Sequence, residues 1–211
     1  MSGGKKPSEF AGGKDRYLSD YLLNRVNAEG KPPLLLRPLA ALLALCGIHG
    51  FGQTNCASCA TAVAETLEKN DVYLAMPKLR GADVKGIMGL PVNRGKSFDE
   101  RLTKLQQLKL EDELNGVIVI HRPARWQWLP GATQGHACNL IKFKNSNLIH
   151  FLDVQKKAYV ECYLDNIVGK GAEISKFLGP IGAGGIDLYM KKIHEDINEK
   201  TGASAPVQQT A

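Results

Sequence analysis

Apolar residues recur at helical spacing through the first half of the chain. Residues 15–28 and 37–46 carry them three or four positions apart, which is the repeat of an amphipathic helix. Pro38 is compatible with the second of these helices because a first-turn N–H has no partner to lose. Residues 56–67 are rich in Ala and contain no Gly or Pro, so they predict a third helix. Ser97 opens a fourth with the capping-box sequence Ser-Phe-Asp-Glu.

The second half of the chain changes to short apolar runs of strand length. Strands are predicted at 117–120, 136–143, 148–153 and 159–164, short helices at 174–178 and 186–197, and a long loop at 70–96. Residues 144–147, Lys-Asn-Ser-Asn, join two of the strands and predict a hairpin turn. Helices therefore precede an antiparallel sheet. This order predicts an α+β fold with its helices segregated to one side of the sheet.

The distribution of charge and apolar residues excludes two classes of partner. The net charge is +6, but the basic residues are scattered and form no stripe with interleaved aromatics, so we expect no nucleic-acid binding. The most apolar stretch, 34–48, contains Arg37 and Pro38 and is shorter than the roughly 20 residues of a membrane span. We therefore expect no membrane insertion, and we interpret 34–48 as a buried helix.

The ends of the chain differ in composition from its centre. Residues 1–15 and 199–211 are rich in Gly, Ser, Lys or other polar residues and predict disordered tails around one folded domain at 16–198. No apolar core of a secretory signal is found near Met1. If the protein leaves its cell, we expect a specialised secretion system or a fusion partner to carry it.

Two thiols lie where a nucleophile would be activated. The five cysteines form no evident disulfide framework, and we expect them to be reduced. Cys56 and Cys59 fall at the start of the third predicted helix, where free N–H groups and the helix dipole favour a thiolate. A cysteine nucleophile also needs a base that is held in one orientation.

The predicted hairpin supplies a base and an orienting group. If its turn is centred between Asn145 and Ser146, Cys138 lies opposite Asp153. His136 and Asp153 are then diagonal neighbours on one face of the sheet, close enough for the carboxylate to hold the imidazole. A shift of one residue would place them on opposite faces.

These motifs together resemble a known family. Asn55-Cys56-x-x-Cys59-Ala60, Gly135-His136-Ala137-x-Asn139 and Phe151-Leu152-Asp153-x-Gln155 follow the order of the papain-like fold, in the form found in papain-fold toxin domains of bacterial polymorphic toxins and secreted effectors. The resemblance covers about residues 50–165. It implies a papain-like α+β domain in which the helix that begins with the nucleophile packs on a small antiparallel sheet carrying His and Asp.

The resemblance also implies a role for each residue. Cys56 would be the nucleophile, His136 the general base and later acid, and Asp153 the group that orients His136. Gln53 or Gln155 would help the backbone N–H of the nucleophile to stabilise the oxyanion. No cofactor is implied.

The family implies a biological role as well. The implied function is a secreted toxin that acts in interbacterial competition. It would hydrolyse an amide of a target-cell protein, as a glutamine deamidase or protease, in the target-cell cytosol. A cognate immunity protein is the implied partner, and a cell-wall peptide amidase is the alternative within the family.

Two other interpretations of the cysteines remain open. The Gln-x5-Cys pattern of papain itself would make Cys59 the nucleophile and Gln53 the oxyanion donor, although Ala60 replaces the aromatic residue that follows in papain. Outside the family, Cys56, Cys59, His136 and Cys138 are four suitable zinc ligands and would make the protein a non-catalytic, zinc-stapled binding module.

Overall fold

A computed structural model describes residues 4–76, 84–124 and 135–194. The helices are α1 (Gly13–Arg16), α2 (Leu23–Arg25), α3 (Arg37–Leu45), α4 (Cys56–Lys69), α5 (Val84–Met88), α6 (Phe98–Gln106) and α7 (Gly171–Leu178). A π-helical turn, Tyr17–Leu22, joins α1 to α2, and short 3-10 turns lie at Pro7–Glu9, Leu34–Leu36 and Leu164–Asn166. The strands are β1 (Asn93–Lys96), β2 (Leu114–His121), β3 (Gly135–Lys142), β4 (Leu148–Asp153), β5 (Ala158–Tyr163) and β6 (Ile186–Lys191).

The strands form one six-stranded antiparallel sheet in the order β1-β6-β2-β3-β4-β5. The α+β class and the antiparallel sheet are confirmed. The pairing of Asn139 with Leu152 and of Ile141 with His150 also confirms the predicted register of the hairpin. The capping box at Ser97 is present in full.

Helices cover both faces of the sheet, so the prediction that they are segregated to one side is wrong. Leu140 belongs to an apolar cluster with residues of α6 and α7, whereas its neighbour Ile141 packs with α4 and the N-terminal helices. Successive strand residues point to opposite faces. Because β3 is buried along almost its whole length, both of its faces have to be covered.

Helix α4 lies close against the central strands on a face made of small residues. Ala60 and Ala64 pack against Val117 of β2 and Ala137 of β3. Two buried asparagines add direct bonds, because Asn139 Nδ2 donates to Ala60 O at 2.8 Å and Asn115 Nδ2 donates to Ala64 O at 2.8 Å. Each bond contributes about 1 kcal/mol net to stability. The two bonds together fix the distance between α4 and the sheet.

Residues 186–191 form strand β6, and the prediction of a helix there is wrong. Ile186 and Leu188 face the cluster shared with α6 and α7, while Tyr189 faces α4. This alternation has the period of a strand. A short apolar run fits helical and strand spacing alike, and here pairing along β2 decides between them.

Two further segments differ from the sequence-based predictions. Residues 4–15 contact the domain instead of forming a free tail, since Lys14 Nζ donates to Lys144 O at 3.0 Å and Asp15 contacts His150 at 2.8 Å. The predicted loop 70–96 contains α5 and β1. Residues 77–83 of that loop and the predicted tail at 199–211 lie outside the described residues.

Helix α3 is exposed, so the interpretation of 34–48 as a buried helix is wrong. None of its residues is buried; Leu45 at its C-terminal end is 86% exposed, and Leu35, in the turn before the helix, is 93% exposed. Within the described ranges, no helix is both long enough and apolar enough to cross a membrane.

The contrast between sheet core and α3 predicts different costs for one substitution. Leu140→Ala removes a side chain that is 0% exposed and should lower the free energy of unfolding by about 2–5 kcal/mol. Leu35→Ala, the matched control on the exposed segment before α3, should change it by about 0.5 kcal/mol or less. Urea denaturation followed by circular dichroism measures both. An equal cost for the two variants would contradict the described burial.

Candidate active site

Helix α4 begins at Cys56, which is the cysteine that the family motif places after Asn55. The N–H groups of the first helical turn have no carbonyl partner within the helix, and they carry the positive end of its dipole. A thiolate at this position is therefore favoured over one in solution. The Cys56 side chain is half-buried, so its sulfur is both sheltered and reachable.

The hairpin register brings His136 and Asp153 together. Nε2 of His136 lies 2.5 Å from Oδ2 of Asp153, and both side chains are buried. The other carboxylate oxygen accepts the Lys156 N–H at 3.0 Å. Each oxygen of the buried carboxylate thus has a partner, and the carboxylate holds the imidazole in one orientation.

Cys56 meets this pair at the end of β3. The His136 ring and the backbone N–H of Ala137 act on its thiol as hydrogen-bonding partners that lower the pKa of the sulfur. Because Nε2 of His136 faces Asp153, Nδ1 is the ring nitrogen that is left for the sulfur. Ala137 lies beyond the paired stretch of β3 and β4, which runs from Asn139 to Ile141, and its N–H is therefore available to the sulfur.

These contacts shift the three groups toward their charged forms. Burial alone would raise the pKa of Cys56, but the hydrogen bond and charge of His136, with the Ala137 N–H, lower it below its usual value. Burial opposes the charge on His136 too, yet Asp153 and the bond to Cys56 raise the pKa of the imidazole. Burial is likewise outweighed at Asp153, where His136 lowers the pKa of the carboxyl. The lowered pKa of Cys56 and the raised pKa of His136 together favour a thiolate beside an imidazolium.

Cys59 occupies a different environment from Cys56. It is 1% exposed and packs in the apolar cluster between α4 and the N-terminal helices. Burial, followed by the charges of Asp153 and Cys56, raises the pKa of its thiol. A buried thiol that resists ionisation is a poor nucleophile. The structure therefore brings Cys56, and not Cys59, to the base.

The four ligands of the zinc interpretation are not assembled around one point. Cys138 packs in the cluster of α6 and α7, on the other face of the sheet from Cys59. Burial raises the pKa of the Cys138 thiol well above its usual value, which disfavours the thiolate that zinc needs. In the described part of the chain, no group of three or more His, Cys, Asp or Glu side chains converges on a metal position.

Gln53 and Gln155 belong to a network of side-chain amides that holds Asn55. Gln155 Nε2 donates to Asn55 Oδ1 at 3.1 Å, and Asn55 Nδ2 donates to Asn27 Oδ1 at 2.9 Å. Asn27 Nδ2 then donates to Gln53 Oε1 at 2.8 Å, and Gln53 Nε2 donates to Gly30 O at 3.3 Å. Gln155 thus touches Asn55 directly, whereas Gln53 reaches it only through Asn27. The network fixes the residue that precedes Cys56.

A glycine allows this loop to approach the hairpin. Gly50 has φ +75°, and a Cβ built there would lie 2.7 Å from Gln155 O. Any larger residue would push the loop away from Gln155.

Sequence reasoning missed three contributors to the site. Asn27 comes from just after the N-terminal helices, and only its amide side chain signals a role. The Ala137 N–H is a backbone group that no side-chain motif reports. Arg122 donates to Leu178 O at 2.7 Å and to Pro180 O at 2.6 Å, and its guanidinium interacts electrostatically with Cys138, Asp153 and Cys56.

The hydrogen bonds predict the titration of the thiol. In the wild type, the rate at which iodoacetamide alkylates Cys56 should rise with pH, and the midpoint of this rise should lie below the usual thiol pKa. His136→Ala removes the bond and charge that lower the pKa, while burial still raises it, so the midpoint should move upward. Mass spectrometry of the Cys56 peptide at each pH measures this. Cys59 is the internal control and should stay unreactive in the folded protein; a midpoint unchanged by His136→Ala would contradict the described contact.

The buried pair also predicts a pH window for stability. The pKa of Asp153 is lower in the folded than in the unfolded protein. Its contribution to the free energy of unfolding is therefore complete above the unfolded-state pKa and is lost as the pH falls through the folded-state pKa. The pKa of His136 is higher in the folded protein, so its contribution is complete below the unfolded-state pKa and is lost as the pH rises through the folded-state pKa. Both are present between about pH 4 and about pH 6.5.

Asp153→Asn should therefore cost most in that window and less on either side of it. Urea unfolding of wild type and variant from acidic to alkaline pH measures the difference. Asp99→Asn, on the exposed first turn of α6, is the matched control. A loss of stability at Asp153→Asn that is independent of pH would contradict the pairing.

Comparisons with protein-family models, with curated proteins and with solved structures find no match for this chain. The resemblance to papain-fold toxins consequently depends on the three motifs, and the chemistry depends on the contacts among Cys56, His136 and Asp153.

Proposed function

We propose that this protein is a papain-like cysteine hydrolase that cleaves an amide bond through Cys56, His136 and Asp153. The observation that carries the proposal is the position of His136 between the two other groups: its ring contacts the Asp153 carboxylate at 2.5 Å and lowers the pKa of the Cys56 thiol. A nucleophile, a base and an orienting group in that order are what nucleophilic catalysis by cysteine requires.

The reaction follows from the position of each proton. The Cys56 thiolate attacks the amide carbon, and a C–S bond forms while the carbonyl oxygen becomes an oxyanion. His136 gives its proton to the leaving nitrogen as the C–N bond breaks, which leaves a thioester. His136 then removes a proton from water, whose oxygen attacks the thioester; the C–S bond breaks, the carboxylic acid leaves, and the Cys56 thiolate is restored beside the protonated His136.

Donors for the oxyanion lie around the start of α4. The Cys56 N–H is at the first helical position and has no carbonyl partner within the helix. Gln155 is the better placed of the two predicted glutamines, since its amide bonds directly to Asn55. Gln53 supports the same loop one amide further away.

The substrate class comes from the resemblance to papain-fold toxins. It favours glutamine deamidation or proteolysis of a target-cell protein by a secreted toxin, with a cognate immunity protein as partner. A cell-wall amide is the alternative within the same chemistry. The zinc-stapled module has less support, because Cys59 and Cys138 pack on opposite faces of the sheet.

Expression in bacteria tests the proposed chemistry. Wild-type protein in the cytosol should inhibit growth and convert glutamine to glutamate, or create new N-termini, in one or a few host proteins. Cys56→Ala should lower the rate of that modification on the order of 10⁴-fold or more. Cys46→Ala, an exposed cysteine outside the site, is the matched control and should behave as the wild type. Growth and quantitative proteomics are the measurements.

Other outcomes of this experiment assign different functions. Full toxicity of a folded Cys56→Ala variant would contradict the proposal that the protein is a cysteine hydrolase. Loss of activity in Cys59→Ala but not in Cys56→Ala would identify Cys59 as the nucleophile. Toxicity only after export to the periplasm would indicate the cell-wall substrate. One equivalent of zinc in the purified protein, lost together with the fold in Cys56→Ser, would indicate the binding module.

A further inference from the structure

A cavity of about 320 Å³ lies between α3, the loop at 49–53 and the turn after β4. We infer that this cavity is a substrate subsite that binds an acidic side chain close to the amide attacked by Cys56. The inference rests on the proposed function and adds to it a class of substrate, an acidic polypeptide segment.

Two residues that line the cavity connect it to the segment that carries Cys56. Gln53 and Gln155 line it, and both belong to the amide network that holds Asn55. Asn55 immediately precedes Cys56 in the chain. A substrate residue that contacts Gln155 therefore lies within a few extended residues of the thiol.

Among the described residues, the charged side chains of the cavity wall are all basic. Arg37 and Lys157 line it together with His49, and no Asp or Glu of the described ranges does so. Among the ion pairs of the described ranges, none involves Arg37 or Lys157. The one hydrogen bond that Arg37 makes there is a long one of 3.4 Å from Nε to Pro32 O, which leaves the terminal nitrogens of the guanidinium to bind a ligand. A carboxylate is the group that such a guanidinium binds best.

The rest of the wall suits a carboxylate on an aliphatic stem. Ala40, Ala41 and Ala44 from one side of α3, together with Phe51, provide an apolar surface. The methylene groups of a glutamate side chain can pack there while its carboxylate reaches the basic residues. The volume is near the lower limit for small-molecule pockets, which fits one side chain better than a nucleotide.

Reactive peptide probes test the subsite without knowledge of the natural substrate. The probes are short peptides that contain an epoxide, whose ring a thiolate opens. Four probes are compared: Glu or Gln is placed near the epoxide on its N-terminal side in one pair and on its C-terminal side in the other. The rate at which each labels Cys56 is measured by mass spectrometry. On at least one side, the Glu probe should react on the order of tenfold faster than its Gln counterpart, and added salt should reduce this preference.

Variants assign the preference to the cavity. Arg37→Gln and Lys157→Gln should each reduce it severalfold, and the double variant should abolish it. Arg94→Gln, on strand β1 at the opposite edge of the sheet from β4 and β5, is the matched control and should keep it. Labelling by the Gln probes and by iodoacetamide should stay unchanged in all variants, which shows that the fold and the thiol are intact.

The outcomes separate this inference from the function on which it rests. Equal labelling by Glu and Gln probes on both sides, or a preference that survives in the double variant, would overturn the subsite and leave the hydrolase in place. A Cys56 that reacts with neither probe nor iodoacetamide would overturn the proposed function and the subsite together.

Discussion

The contact between α4 and strands β2 and β3 is the constraint on which the candidate site depends. Alanines on α4 allow the helix to approach the sheet closely. From the sheet, the side chains of Asn139 and Asn115 donate hydrogen bonds to two backbone carbonyls of α4. The position of Cys56 follows, because it is the first residue of this helix. If the helix stood further from the sheet, its thiol would not reach His136 or the Ala137 N–H.

At the candidate site, attraction between His136 and Asp153 outweighs the cost of burying their charges. His136 and Asp153 are both nearly inaccessible to solvent, where isolated charges are strongly disfavoured. Each shifts the pKa of the other toward its charged form, with the Lys156 N–H as a further donor to the carboxylate. Cys56 benefits from the same arrangement, whereas Cys59 and Cys138, buried without such partners, keep their protons. One activated thiol among several cysteines is the result.

The N-terminal region contributes more to this site than its composition indicates. Asn27 follows the N-terminal helices and joins the amide network at Asn55, and Asp15 contacts His150 on β4. Helix α3 forms one wall of the cavity beside the site, and none of its residues is buried. The region therefore lies beside the candidate site, while the sheet and α4 hold Cys56, His136 and Asp153.

The sequence by itself determined α4, the capping box at Ser97, the hairpin and its register, since helix propensity, caps and turns are local properties. The register brought His136 and Asp153 together because side chains on a strand alternate with a period of two. Only tertiary structure decided that β6 is a strand, that both faces of the sheet are covered and that α3 is exposed. It also gave Cys56 and Cys59 different surroundings. The two thiols share one helix turn, and their difference comes from what packs against each: an imidazole against Cys56, and an apolar core against Cys59.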